Sequence, residues 1–244
     1  SVINIVKAEY QKGRRSMRHK YKWMFPVITL VIAFLLTAGM KNAYSESVWN
    51  WWYSMLLPGM LAIFCYLSVV QERKTKYYNL TTLSTCRKKL VLGKIIYMSF
   101  VILATNIIIF IGASVGGLLL TTHVPVGGAA VAVIILTITH LWEIPVFLFL
   151  SERFGMIINL LICLFITVAG VFVSQTDKWY LLVSAIPMRI LCPFIFVLPN
   201  GMAAKEGDPL LAMGTVAPGV CISIIWFVLV TVLYVNWFDK REVG

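Results

Sequence analysis

The sequence predicts an all-α integral membrane protein with six transmembrane helices, an N-terminal interfacial helix and re-entrant outer helices before the last span. The first observation behind this is composition. The 244-residue chain is 60% hydrophobic and only 13% charged, with a mean hydropathy of +0.87. A soluble domain has no interior large enough for so much Leu, Ile, Val and Phe. The second observation is continuity: six apolar stretches, at 24–40, 53–70, 95–120, 126–150, 156–174 and 218–238, interrupt the polar sequence. A span needs roughly 20 apolar residues, and about 17 is a lower limit. Five of the six contain no Asp, Glu, Lys or Arg, and the stretch 126–150 carries only Glu143. The apolar residues run continuously rather than alternating, which selects helices over a membrane barrel.

Charge distribution is the third observation, and it sets orientation. Seven basic residues lie in the N-terminal segment (Lys7, Lys12, Arg14, Arg15, Arg18, Lys20, Lys22). Seven more lie between spans two and three (Arg73, Lys74, Lys76, Arg87, Lys88, Lys89, Lys94), and Arg153, Lys240 and Arg241 join them. Only Lys41, Lys178, Arg189 and Lys205 fall on the other side. Both termini are therefore expected in the cytoplasm of a cell membrane. The net charge of +11 is explained by topology, and no segment is long enough to build a folded basic face for nucleic acid.

Two regions follow, an N-terminal amphipathic segment, 1–22, and a six-helix transmembrane domain, 23–244. In the first, Ile3, Val6 and Tyr10 recur at helical spacing, so the segment is expected to lie along the inner membrane surface; a flexible positive flank is the plainer alternative. No small-residue cleavage site follows the first apolar run, so span one is expected to be retained. Trp49, Trp51, Trp52 and Tyr53 open span two and read as an outer aromatic belt. Pro58 and Gly59 within it mark a kink or a close helix contact. The inner segment 71–94 mixes Leu80, Leu83 and Leu90 with basic residues, which suits a short helix docking on a soluble partner as well as a solvated loop. A tight outer turn around His123–Pro125 joins spans three and four. Residues 151–154 form a short inner turn before span five. The outer segment 175–217 is long and largely apolar, interrupted by Pro187, Pro193 and Pro199, and is expected to form broken helices that dip in and return.

The chemistry is sparse. No phosphate-binding G-x-x-x-x-G-K-[ST] loop, H-E-x-x-H pair or Cys/His cluster occurs, so ATP-driven work needs an ATPase on another chain. Gly112-Ala113-Ser114-Val115-Gly116 matches G-x-S-x-G, but it lies within an apolar span where the two glycines read as a packing face. Of the five cysteines, Cys192 and Cys221 lie near the outer side, which leaves a disulfide open. His140 and Glu143, three residues apart on one helical face, are either a proton relay or cation anchor in the transport path, or a structural hydrogen-bonded pair.

Several short motifs carry a family likeness: A-E-Y at 8–10, W-x-W-W-Y at 49–53, L-L-P-G at 56–59, Q-E-R-K at 71–74, Y-Y-N-L at 77–80, R-K-K-L at 87–90 and G-K at 93–94. With the helix count and loop lengths, they make the chain resemble the bacterial ABC-transporter permeases of lantibiotic immunity and antimicrobial-peptide resistance. The resemblance implies a permease that is not itself an enzyme and that binds no cofactor, with ATP and Mg on two copies of a separate ATPase. It also implies a second permease chain, same or related, and an antimicrobial peptide as substrate. The cytoplasmic coupling segment would engage the ATPase through Glu72, Arg73, Tyr78, Leu80, Leu83 and Arg87. A proton-coupled secondary transporter using His140 and Glu143, and a membrane enzyme with Ser114 as its sole candidate nucleophile or a non-transporting scaffold, stand as the alternatives.

Overall fold

The computed structural model describes residues 2–14, 16–38, 40, 43–74, 87–121 and 124–240. These residues form a helical bundle, and their β structure is a single isolated bridge, Val197–Ala203. Five helices are long and apolar enough to cross a membrane, or six if one bent pair counts as a single span. The protein is thus a multi-pass, all-α membrane protein by length and composition, with the six segments in the order that hydropathy predicts. Each is a helix because backbone amides in an apolar surrounding have no water to bond and must bond within their own segment.

The boundaries depart from expectation where caps and prolines act. The N-terminal region 1–22 divides at Ser16. Helix α1 (Val2–Arg14) comes first, and α2 (Met17–Leu36) begins at once, its Arg18 amide bonded to the Ser16 hydroxyl at 3.2 Å. Span one therefore starts at Met17, ahead of the expected residue 24. Span two is longer still. Helix α3 (Tyr44–Trp51), a π-turn (Trp52–Leu56) and α4 (Leu57–Lys74) form one stretch of 31 residues. The π-turn lies just ahead of Pro58, which has no N–H for the carbonyl of Ser54, and the Leu57 amide instead reaches back to Trp52. The expected irregularity is there, placed before the proline. Gly59 makes no close contact.

Helix α5 (Arg87–Leu120) has 34 residues and a length of about 51 Å. That exceeds the ~30 Å hydrocarbon core, so its basic first two turns extend beyond any apolar layer. Span four is the bent pair α6 (Val126–His140) and α7 (Glu143–Arg153), at 42° to each other. Pro145 explains the break: it cannot donate to the carbonyl of Leu141, which accepts from the Ile144 amide at 3.2 Å in a tighter turn. Residues 151–153 continue α7, and Gly155, at a φ of +84°, turns the chain into α8 (Met156–Ser174). Two short helices follow, α9 (Ala185–Ile190) and α10 (Cys192–Ile195), before α11 (Val216–Lys240).

At the centre, α4 packs against α2 on one side and α7 and α8 on the other, while α5 contacts α1, α2, α3, α6 and α11. Helices α2, α8 and α11 are peripheral: only 17%, 22% and 11% of their most apolar stretches are buried, against 56% in span two. The aromatic cluster is not a belt. Trp49, Trp52 and Tyr53 are fully buried, and Tyr53 donates to the Leu198 carbonyl while Asn50 bonds that of Pro199, so this turn clamps the loop after α10. Helices α9 and α10 are themselves buried, packed on α6, α8 and α11.

The glycines of the G-x-S-x-G stretch pack as expected. A methyl added at Gly112 would collide with Leu30 of α2, and one at Gly116 with the Tyr44 ring of α3, while the Ser45 hydroxyl donates to the Ala113 carbonyl at 2.8 Å. Cys192 and Cys221 are both free thiols, the first buried and the second exposed on α11, so the disulfide is not formed. Overpacking of this kind costs about 1–3 kcal/mol. Gly116→Leu is therefore expected to lower the thermal midpoint of the detergent-solubilised chain, whereas Gly59→Ala, with open space around it, leaves the midpoint unchanged or raises it slightly.

Candidate functional site

Two groups of polar residues stand out inside this apolar bundle. The first lies at its basic end, where α1, α2, α4, α5 and α7 converge. Helix α1 turns Ile5, Val6, Glu9 and Gly13 inward, so that Ile5 meets Gly93 and Gly13 meets the Tyr97 hydroxyl on α5. Of the expected stripe, Ile3 and Tyr10 are exposed and Val6 packs against the core. The inward face is therefore built around a carboxylate. Glu9 is only 4% exposed, accepts from Lys12 at 2.6 Å, and lies 3.7 Å from Arg18.

Arg18, at 2% exposure, also donates to the Gln71 side chain of α4 and stacks over the Phe64 ring at 5.8 Å. Lys94 of α5 pairs with Glu72 at 2.5 Å. Arg73 donates to the Glu152 carbonyl of α7, with its guanidinium 3.7 Å from the Glu152 carboxylate. Lys88 and Asp239, 3.5 Å apart, tie the start of α5 to the end of α11. Burial raises the proton affinity of Glu9, but Lys94, Lys12 and Arg18 together outweigh it and hold the carboxyl below its ordinary value of 4.5.

Of the expected coupling residues, Glu72 and Arg73 thus join this cluster, at the end of α4. Arg87 begins α5. Tyr78, Leu80 and Leu83 lie outside the described residues, as do Cys86 and His123. Hydropathy and charge counting missed Glu9, Gln71 and Glu152. The available signal was helical spacing, since Glu9 shares a face with Ile5, Val6 and Gly13.

The second group surrounds the break in span four. His140 is 1% exposed and its Nδ1 lies 3.0 Å from the Leu136 carbonyl. Glu143 is 3% exposed, and its Oε2 has no hydrogen-bond partner among the described residues. The two were expected on one helical face. The bend at 141–142 separates them, and no bond joins them. Glu143 stands instead at the first residue of α7, where the positive end of the helix favours a carboxylate. Nearby, the thiol of Cys65 on α4 lies 3.8 Å from the Ile144 carbonyl.

A separate buried chain links three elements: Trp52 donates to Asn106 at 2.8 Å, and Asn106 donates to Thr137 at 3.0 Å. Asn159 of α8 bonds the Ala62 carbonyl and the Ser151 hydroxyl, each at 3.0 Å. Arg189 of α9, also buried, donates to the Ser174 carbonyl at the end of α8. Ser114 sits within the continuous helix α5, without the strand-to-helix turn that a nucleophile of this motif requires. Among the described residues, no group of three or more His, Cys, Asp or Glu is placed to hold a metal ion.

No family model matches the chain, and no curated protein is significantly similar to it.

Removing one partner from a buried ion pair costs about 3–5 kcal/mol, because the other charge is left uncompensated. Lys94→Met is expected to lose most of the folded population in detergent. Lys88→Gln, on an exposed pair, is expected to have little effect. The depressed Glu9 carboxyl gives a pH signature. Its contribution to docking α1 is complete above the ordinary carboxylate value and is lost as pH falls through the depressed one. Proteolysis near Arg14 is therefore expected to be slow at neutral pH and to accelerate only on strong acidification. Glu9→Gln should be cleaved readily at every pH.

Proposed function

We propose that this chain is the permease subunit of an ATP-driven ABC exporter that removes lantibiotic-type antimicrobial peptides from the membrane, giving self-immunity or resistance. The observation that carries the reading is the anchoring of the segment between α4 and α5. Its two flanks, Glu72 and Lys94, are ion-paired to each other, and Arg73 ties the first flank to α7. A soluble ATPase gripping that segment would push on three spans through charged contacts. The sequence motifs at 71–74, 77–80, 87–90 and 93–94, which carry the family resemblance, fall on the segment and its flanks.

In this reading the basic end is cytoplasmic, α1 is an interfacial helix, and α9–α10 re-enter from the outer face. Two ATPase copies bind ATP and Mg, and a second permease chain completes the path. The exposed apolar face of α11, including Ile225, Val228 and Leu233, is available to lipid or to that chain. The peptide is drawn from the outer leaflet and returned to the medium.

A second reading rests on Glu143. A buried carboxyl with an unbonded oxygen at a helix break is a group that carries protons or cations in transporters without an ATPase.

Affinity purification from the native membrane in mild detergent separates these readings. A stoichiometric ATPase together with a second six-span chain is the expected result, and the chain recovered alone would transfer the assignment to Glu143. Leu83→Asp is expected to weaken ATPase co-purification while leaving membrane insertion intact; unchanged assembly would remove the coupling role of this segment. Glu143→Gln is expected to leave peptide resistance within about threefold of the parent, since the exporter needs no proton at that site; loss of pH-dependent uptake would establish the second reading.

A further inference from the structure

A cavity of 210 Å³ opens at the basic end between the start of α2 and the end of α4. This is far more than the roughly 10–15 Å³ that admits one water. Ser16, Met17 and Arg18 line it from α2, and Leu67, Val70, Gln71 and Lys74 from α4. The surface it presents is almost entirely apolar, from side chains such as Met17, Leu67 and Val70, and its two cationic residues are Arg18 and Lys74. Arg18 is almost wholly buried, yet its Nε has no hydrogen-bond partner among the described residues. The amide end of a 20-residue helix, with its partial positive charge, faces the same space.

Among the described residues the charges of this cluster do not balance. Lys12, Arg18, Arg73, Lys74 and Lys94 stand against Glu9, Glu72 and Glu152, which leaves two positive charges in excess. Met17, which lines the cavity, also heads an exposed apolar column on α2 with Met24, Val27 and Val31. A water-soluble anion would satisfy the cations and leave the apolar wall bare.

We propose that this cavity is a binding site for one anionic phospholipid, its phosphate held between Arg18 and Lys74 and an acyl chain lying along Met17 and the outer face of α2. The site is independent of what drives transport. Its occupant fastens α2 to α4 next to the junction with α1, so the packing of α1 depends on lipid charge.

The test uses the purified full chain in neutral detergent, with phosphatidylglycerol, phosphatidylcholine of the same acyl chains, and inorganic phosphate as probes. Native mass spectrometry reads the bound lipid, and the thermal midpoint reads its linkage to folding. Phosphatidylglycerol is expected to bind at one copy and raise the midpoint, with phosphatidylcholine and inorganic phosphate ineffective. Lys74→Gln should weaken phosphatidylglycerol about fivefold, the value of one cation near an anionic surface. Val70→Trp should occupy the cavity and abolish retention. Lys88→Gln, at the same end and away from the cavity, should bind as the parent does. Equal binding of the two lipids, an equal loss in Lys88→Gln, full displacement by inorganic phosphate, or parental affinity in Lys74→Gln would each overturn the assignment.

Discussion

Charged groups buried at one end of an otherwise apolar bundle set the terms for the rest of this structure. Glu9, Arg18, Lys94 and Glu152 are each nearly inaccessible, and an unpaired charge there would be prohibitively costly. Each is therefore matched, and the partners lie mostly on different helices: α1 to α2, α2 to α4, α4 to α5, α4 to α7. Apolar packing among helices in lipid is permissive, because a lipid tail is as good a neighbour as a leucine. Ion pairs are not permissive. They fix the axial register of five helices and oblige α1 to lie where its carboxylate meets its cations.

The same scarcity of water governs the irregular places. Pro58 and Pro145 each remove a backbone donor inside an apolar helix, and the chain responds differently. At Pro58 the helix widens for a turn and continues; at Pro145 it tightens, breaks and restarts at 42°. Only the second response places an ionisable residue at a new helix start. The place of Glu143 at a helix start is therefore a consequence of where Pro145 stands, two residues further on.

What was legible in the residues follows from this physics. The existence and order of the spans were readable, since continuous apolar stretches must form helices wherever backbone groups cannot reach water. Their ends were not, because Ser16 and the basic first turns of α5 extend helices past the apolar stretch. Which face points inward was read poorly, and for a specific reason. In a soluble protein apolar residues mark the interior, but in a membrane protein they serve both the interior and the lipid. Trp49, Trp52 and Tyr53 thus read as an interfacial belt from the sequence and are core in the structure, whereas Ile3 and Tyr10 on α1 are exposed. The reliable marker of an inward face here is a polar residue: Glu9 on α1, Asn106 on α5 and Asn159 on α8 all point into the bundle and find partners or cations.

Helix α4 is where the two candidate sources of movement meet. Its last turn carries Gln71, Glu72 and Arg73, through which force on the segment between α4 and α5 would enter the bundle. Its middle, at Cys65, lies against the start of α7 beside Glu143. A push from a docked ATPase and a change of charge at Glu143 would therefore act on the same pair of packed helices, α4 and α7, from opposite ends of their contact. The Arg73–Glu152 contact closes that pair at the basic end, and the bend at Pro145 lies further in. Were either input to move that pair, the loop after α10 that Asn50 and Tyr53 clamp would stand at the far end of span two from it.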